Sequence, residues 1–227
     1  MVSIDASKLS IRELNTKIKT IASEGLPIQI MNPEARHNIA VGILDKCDIK
    51  IEGSVGYYTA TLLDGPNVTI NGNAGWALGE NLMSGKISVA HDAGASLAAS
   101  MRGGEIFIGG EAGARAGISM KGGSLIIAGN SGFLTGFMMQ KGQIIVCGDA
   151  GEAIGDSMYE GTIYVGGKYG SLGSDAIEEE TSEEELISIW DSLEKHGVRE
   201  KPRFRKIVSE KKLYHLDSLE RMEKTGI

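Results

Sequence analysis

The glycines are the residues whose spacing first suggests chemistry. The chain has 227 residues, 32 of them glycine, and the segment from Gly148 to Gly167 reads GDAGEAIGDSMYEGTIYVGG. A glycine-rich turn can hold a phosphate group when one strand leads through it into the N-terminus of one helix. Here the G-x-x-G tetrad recurs along the body of the chain, which a single phosphate loop does not require. The four prolines are too few for a flexible low-complexity linker. We therefore interpret the glycines as structural residues that the fold requires.

A histidine and two cysteines are the next candidates for chemistry. Of the four histidines, one, His91, lies in the repeated region, next to Asp92. A solenoid carbonic anhydrase would need several metal-binding histidines, so we interpret His91 as a polar residue at a corner of the fold. Cys47 and Cys147 lie a hundred residues apart in apolar surroundings. Without a paired spacing they are predicted to be packing residues of a protein in a reducing compartment.

Carboxylates cluster in one segment of the chain, at Asp149, Glu152, Asp156 and Glu160. Paired carboxylates can act as general acid and base, but solvated corner positions explain this group better. The sequence has no Ser–His–Asp or Cys–His arrangement with supporting context. We therefore predict that this chain contributes no catalytic, cofactor-binding or metal-binding residue.

Composition narrows the class of protein. The formal net charge is −7 and no basic stripe runs through the glycine-rich body, so nucleic acid is an unexpected partner. No run approaches eighteen apolar residues, and the N-terminus lacks a basic segment followed by an apolar one. These features predict a cytoplasmic protein that neither crosses a membrane nor is secreted.

The second glycine of the tetrad recurs at intervals of 19 residues. We call these residues the corner glycines; they are Gly56, Gly75, Gly94, Gly113, Gly132, Gly151 and Gly170. The first glycine of the tetrad is replaced once, by His91. Seven copies without an insertion indicate a structural repeat. We expect the corner glycines to be required for positive φ and for close approach of neighbouring backbones.

Other positions keep the same spacing. Seven residues after the corner glycine stand Leu63, Leu82, Met101, Met120, Met139 and Met158. Four residues after it every residue is tiny: Ala60, Gly79, Ala98, Gly117, Gly136 and Gly155. An alternating pair such as Ile106 and Ile108 then follows in each repeat, which predicts a strand with an apolar inner face and polar or small outer residues.

A 19-residue unit with glycine corners is about one coil of a β-solenoid, whose strands stack in parallel at roughly 4.8 Å per coil. Left-handed helices of the acyltransferase type repeat six residues and calcium-binding solenoids repeat nine, so neither fits. The sequence predicts an all-β, right-handed parallel β-helix of about seven coils over 37–177. Residues 1–36 are predicted to be an N-terminal helical cap and lead-in, and 178–227 a C-terminal helix and extended arm.

Both ends carry helix signals. A serine and a glutamate three residues later form a capping box at Ser10 and again at Ser182, and Gly25 and Gly197 are predicted to end the two helices. In 198–227 charged residues alternate with isolated apolar anchors: Phe204, Ile207, Leu213 and Tyr214. Such an arm docks either on a partner protein or on its own domain. We predict that deleting 203–227 leaves the solenoid folded and weakens association with a partner.

The repeat resembles a known family. The segments MKGGSLIIAGNSG and MQKGQIIVCGDAGEAIGDSMYEG resemble the GXGXG family, the right-handed β-helix that forms the C-terminal domain of the glutamate synthase large subunit. The same module resembles the β-helical subunit of formylmethanofuran dehydrogenase. As a chain made almost entirely of this module, the sequence is most similar to the stand-alone GXGXG subunit of N-methylglutamate synthase (methylamine–glutamate N-methyltransferase).

The resemblance implies a non-catalytic scaffold subunit of a hetero-oligomer. Flavin chemistry, with FMN and an iron–sulphur cluster, is then expected in a partner subunit with a TIM barrel, and amine or glutamine handling in an amidotransferase-like subunit. Amination of 2-oxoglutarate and transfer of methylamine to glutamate both stay open. The alternatives are the β-helical subunit of formylmethanofuran dehydrogenase, a one-carbon oxidoreductase, and an independent solenoid enzyme.

Overall fold

The computed structural model describes residues 1–211 and shows one stack of strands with two helices, one before the repeated strands in the chain and one after them. The strands are β1 (Val2–Asp5), β2 (Ile28–Met31), β3 (Asp48–Glu52), β4 (Asp64–Ile70), β5 (Ser84–Val89), β6 (Glu105–Ile108), β7 (Lys121–Ile127), β8 (Lys141–Val146), β9 (Thr162–Val165), β10 (Ala176–Glu179) and β11 (Arg205–Ser209). The helices are α1 (Ile11–Ser23) and α2 (Glu183–Lys195), and a 3₁₀ turn covers Ala6–Lys8. None of the helices in the described range is long and apolar enough to cross a membrane.

The strands form one eleven-stranded sheet in the order β1-β2-β3-β4-β5-β6-β7-β8-β9-β11-β10. From β3 to β9 each strand pairs in parallel with the next, so that Ile87, Ile106 and Leu125 lie directly above one another. This confirms the predicted all-β solenoid of about seven coils. The right-handed sense stays a prediction from the 19-residue period.

The interior of the stack consists of the predicted rows. The leucine and methionine row, from Leu63 to Met158, is fully buried, as are the alternating aliphatic residues such as Ile106 and Ile108. A row of short parallel bridges also runs from Val55 to Tyr169, one residue before each corner glycine. The same residue type therefore stacks on itself from coil to coil, which builds a continuous core from a short repeat.

Corner glycines are required for close approach and not for positive φ. The φ of Gly113 lies outside the left-handed region, but a Cβ added there would lie 2.7 Å from the backbone N of Ala95 and 2.9 Å from the carbonyl carbon of Gly94. The expectation of positive φ at these seven positions is therefore wrong. The neighbouring coil passes so close that no side chain fits without moving its backbone.

Positive φ occurs instead two, four and six residues after the corner glycine. In the coil that starts at Gly75 these residues are Ala77, Gly79 and Asn81, with φ of 56°, 66° and 55°. The backbone N–H groups of Ala77 and Asn81 donate to the following coil, and that of Gly79 donates to the preceding coil. The turns therefore satisfy their backbone groups between coils, as the strands do. A Cβ on Gly79 would lie 2.6 Å from Ile106 Cδ1, which explains the tiny residues of this row.

The N-terminal segment continues the sheet. Helix α1 begins at the predicted capping box, ends before Gly25 and buries Leu14, Ile18 and Ile21 against the stack. Strands β1 and β2 pair in parallel with each other, and β2 pairs with β3. The sequence did not predict these two strands, which lie within 1–36.

The arm docks on its own domain. Strand β11 lies between β9 and β10 and is antiparallel to both, with Ile207 opposite Ile163. Ile207 is fully buried and Phe204 is 5% exposed. These residues complete the sheet and the second core, so their deletion is expected to destabilise the fold; the predicted deletion of 203–227 with the solenoid still folded stays a prediction. Leu213 and Tyr214 lie outside the described residues.

Helix α2 covers half of the outer face of the sheet. The outward residues of the early strands are polar, for example Thr69 and Ser88, whereas the same position in β6 to β9 holds Phe107, Ile126, Ile145 and Tyr164. These side chains form a second core with Leu186, Ile189, Leu193 and Phe204. The predicted polar or small outer residues are thus found in the early coils and are wrong in the later ones.

Candidate functional site

The residues singled out for chemistry do not converge in the structure. Within residues 1–211 no group of three or more His, Cys, Asp or Glu side chains is placed to hold a metal ion. His91 is exposed at a corner. Cys47 and Cys147 are free. Burial, and to a lesser extent Glu200, raises the pKa of the Cys147 thiol to about 11, and burial with Asp45 and Asp48 raises that of Cys47. Neither thiol is therefore a ready nucleophile at neutral pH.

Asp149 belongs to a column of polar side chains that bonds one coil to the next. The column consists of the residues after the first tetrad position: Ser54, Asn73, Asp92, Glu111, Asn130 and Asp149. Asp92 Oδ1 accepts a hydrogen bond of 2.8 Å from the backbone N–H of Glu111, and Asp149 Oδ1 accepts one of 2.7 Å from that of Lys168. Sequence reasoning missed this role, although the polar row at a 19-residue spacing was a readable signal.

Glu111 departs from the pattern of the column. Its longer side chain accepts a hydrogen bond of 2.8 Å from Asn130 Nδ2 rather than from a backbone amide. Asn130 Oδ1 then resumes the pattern and accepts from the backbone N–H of Asp149. Asp156 similarly accepts from the Ser157 hydroxyl and the backbone N–H of Ser174. The acidic cluster is thus partly engaged in holding the turns, while Glu152 and Glu160 are exposed.

His196 lies where α2 ends on the sheet. Its ring stacks on Phe107 with centroids 4.3 Å apart, and Nε2 lies 3.3 Å from Glu105 Oε1, without the geometry of a hydrogen bond. Lys86 is also within 3.3 Å of the same carboxylate oxygen. This group fixes the C-terminal end of α2 over the second core.

An exposed aromatic stack runs along the early coils. The rings of His37 and Tyr57 are 4.5 Å apart, and those of Tyr57 and Trp76 are 5.2 Å apart, all nearly parallel. His37 Nδ1 accepts a hydrogen bond of 2.8 Å from the backbone N–H of Tyr57. Trp76 remains 57% exposed and Tyr57 40%. The sequence did not predict this stack, although Tyr57 and Trp76 occupy the same repeat position.

This stack is part of a larger surface that we call the turn face. It consists of the eight residues that follow each corner glycine in five coils: 57–64, 76–83, 95–102, 114–121 and 133–140. Seven of the twelve exposed large apolar side chains in the described part of the chain lie on it: Tyr57, Tyr58, Leu62, Trp76, Met83, Phe133 and Met138. Exposed apolar side chains collected on one side of a molecule are typical of interaction surfaces, so the turn face is a candidate interface.

Comparisons with known proteins agree with this fold. The model of the GXGXG motif family matches residues 8–211. Over 67 residues the chain is 41% identical to Protein GlxC of Rhizobium meliloti (strain 1021), a match that spans 29% of this chain and 29% of that protein. The activity of that whole protein is therefore not carried over by the match alone.

A solved structure shares the architecture. A chain in the crystal structure of the formyltransferase/hydrolase complex (FhcABCD) from Methylorubrum extorquens, in complex with methylofuran, superposes with a TM-score of 0.56 at 23% identity. The match covers 75% of this chain and 59% of that chain, and at this identity it shows the fold alone. With the repeat, the stack and the family model in agreement over most of its length, the chain belongs to the GXGXG family.

Proposed function

We propose that the chain is a non-catalytic scaffold subunit of a glutamate-synthase-like, flavin-dependent complex of amino-nitrogen metabolism. The observation that carries the proposal is the stack itself, in which parallel strands and bridges join about seven coils into one continuous body along which other chains can be held. Membership of the GXGXG family supports the same role. Of the side chains that suggested chemistry, Asp92 and Asp149 bond one coil to the next, and the pKa values of both thiols are raised. His91, Glu152 and Glu160 are exposed.

The stack is suited to hold partners at fixed positions. Seven coils at roughly 4.8 Å extend about 34 Å, and each coil is bonded to its neighbours through strands, bridges and turns. Such a body deforms little, so surfaces presented along it keep a constant spacing. In the proposed complex, FMN and an iron–sulphur cluster reside in a TIM-barrel subunit, and an amidotransferase-like subunit handles the amine.

The proposed reaction is that of N-methylglutamate synthase, in which methylamine and L-glutamate give N-methyl-L-glutamate and ammonia; a split glutamate synthase is the close variant. The test is to purify the chain alone and together with co-expressed flavin-barrel and amidotransferase-like subunits. We expect no flavin absorbance and no turnover for the chain alone, and flavin with turnover for the complex. FMN bound to the isolated chain, or activity without the other subunits, would contradict the scaffold role.

A second candidate is the β-helical subunit of a formylmethanofuran dehydrogenase. The observation behind this candidate is the structural similarity to a chain of a complex that was solved with methylofuran. That similarity extends to the fold alone. The proteins that co-purify with the chain discriminate between the two. A pterin–metal subunit with a polyferredoxin favours the one-carbon oxidoreductase, and a flavin-barrel subunit favours amino-nitrogen metabolism.

A further inference from the structure

Two of the five coils of the turn face have charges of opposite sign at their two edges. We call the third and fourth coils of the face, 95–102 and 114–121, the middle coils. In them the polar column before the corner glycine supplies two carboxylates, Asp92 and Glu111. Eight residues after the corner glycine the same two coils supply Arg102 and Lys121. Asp92, Glu111 and Arg102 are exposed, and Lys121 is half-buried. Each of these coils therefore presents an acid at one edge of the face and a base at the other.

Between these edges the middle coils carry few bulky side chains. Their outward positions hold small residues, among them Ala95, Ser96, Ala99, Ser100, Ala114 and Ser119. Bulky side chains stand to either side, with Trp76 in the coil before and Phe133 in the coil after. Inside the edges, charge is confined to Glu80 and Arg115. The face thus has large apolar side chains in its first two coils and its last coil, and charged edges in the two coils between them.

This arrangement is complementary to itself about one particular axis. A two-fold axis that lies in the face and runs parallel to the stack keeps every coil level with its own copy and exchanges the two edges. Glu111 of one chain then faces Lys121 of the other, and Asp92 faces Arg102. A two-fold axis across the stack would set the acidic edge against the acidic edge, which like-charge repulsion opposes.

The apolar positions agree with the same axis. Because the axis exchanges the two edges, the first half of each eight-residue segment of the face lies opposite the second half of the same segment in the other chain. Tyr57 and Tyr58 then meet Leu62, and Phe133 meets Met138, so that exposed apolar groups cover one another. The small residues of the middle coils meet small residues, which lets the charged edges approach.

From these observations we propose that the turn face binds a second copy of this chain, through a two-fold axis parallel to the solenoid. The proposal rests on the proposed function only in that another chain covers this face. A different protein on the same face is the competing occupant. Under the two-fold axis each acid of the middle coils faces a base of the copy at the level of the same coil. This internal match of charges favours the second copy.

The test is sedimentation velocity of the full chain over a concentration series, starting from a chain mass of 24.1 kDa. We expect the wild type to form a dimer of twice that mass. Glu111→Lys and Lys121→Glu each place like charges across the axis twice per dimer and should raise the dissociation constant at least about tenfold. The double variant Glu111→Lys/Lys121→Glu restores opposite charges across the axis and should return the constant to within about threefold of the wild type.

The double variant also separates pairing from damage to the fold. Glu111→Lys removes the bond from Asn130 Nδ2 in the single and in the double variant alike, so recovery can come only from contact between chains. Trp76→Glu should abolish the dimer, whereas Ile187→Glu on α2 is the matched control, since Ile187 is 53% exposed and lies outside the face. Circular dichroism should show the same fold in all variants.

A monomeric wild type, a dimer unaffected by the single reversals, or a double variant as weak as the single ones would each overturn the proposal. Failure here is distinguishable from failure of the scaffold role. A monomer without flavin refutes the dimer alone, and a flavin-bound dimer refutes the scaffold role alone.

Discussion

Two surfaces of this molecule carry large apolar side chains, and they differ in what covers them. On the outer face of the sheet, Phe107, Ile126, Ile145 and Tyr164 are covered by α2 from the same chain. On the turn face, Tyr57 and Trp76 are exposed. The chain thus supplies its own cover for one surface and leaves the other for a second chain. An apolar row in a repeat does not by itself identify an interface, because the cover can come from either source.

The largest expected effect comes from removing the C-terminal arm, which completes the sheet and contributes Phe204 to the second core. Deleting 203–227 takes away β11 and the buried side chains of Phe204 and Ile207, and leaves one edge of β9 unpaired, while the other edge still pairs with β8. We expect a drop in melting temperature of more than about 8 °C and exposure of apolar surface, from the loss of several kcal/mol. Thermal melting and binding of an apolar dye check this. A truncated chain as stable as the full one would show that β11 and Phe204 do not stabilise the sheet.

The next effect tests the stack that supports both faces. Gly113→Val places side-chain atoms against the backbone of Ala95 and should destabilise the protein by about 4–5 kcal/mol. His91→Val, at a tetrad position where a side chain is already accepted and exposed, is the control and should cost less than about 1 kcal/mol. Urea unfolding measures both. Equal losses would mean that close approach of coils does not explain the corner glycines.

A matched pair of substitutions compares the two faces directly. Ile189→Ala, in the covered face where Ile189 is 3% exposed, should cost about 2–5 kcal/mol through the cavity it leaves. Trp76→Ala, on the turn face, removes the stacking on Tyr57 and should cost the isolated monomer about 1 kcal/mol or less. Chemical unfolding at low protein concentration separates the two. A large loss for Trp76→Ala in the monomer would mean that the turn face stabilises its own chain.

The smallest effect concerns pH and the start of α2. Hydrogen bonds at Ser182, above all from its backbone N–H, lower the pKa of Glu185 to about 2, and Lys206 and Tyr164 add to this. A carboxylate whose folded pKa is depressed stabilises the fold above its unfolded pKa, and this stabilisation is lost as the pH falls toward the folded value. Stability should therefore decrease between about pH 4.5 and 2. Glu185→Gln should flatten that decrease, and an unchanged pH profile would contradict the assignment.

Sequence predicted the interior of the fold well because the repeat fixes it. A row such as Met101 and Met120 must stack on itself once the period is 19 residues. The reason for the corner glycines was not predictable, since glycine serves both close approach and positive φ. Leu134 and Met138 adopt positive φ without being glycine, so residue type alone does not separate the two uses.

The two covers were predictable to different degrees. The outward row changes from Ser88 to Phe107 where α2 begins to cover it, which was a readable signal. Strand β11 was not predictable, because it enters the sheet antiparallel and out of chain order, between β9 and β10. The turn face was visible only after folding, because its exposed residues are separated by buried ones along each coil.

The chain's two tryptophans, Trp76 and Trp190, probe the two faces separately. Trp76 lies on the turn face, and Trp190 lies on α2, where its indole N–H donates a hydrogen bond of 3.1 Å to the Pro202 carbonyl. Acrylamide quenching of Trp190→Phe reports on Trp76, and quenching of Trp76→Phe reports on Trp190. We predict that Trp76 is readily quenched at low protein concentration and becomes shielded as the concentration rises, while Trp190 stays shielded throughout. Quenching of Trp76 that does not change with concentration, or of Trp190 as strong as that of Trp76, would contradict the division into an internally covered face and one covered by a second chain.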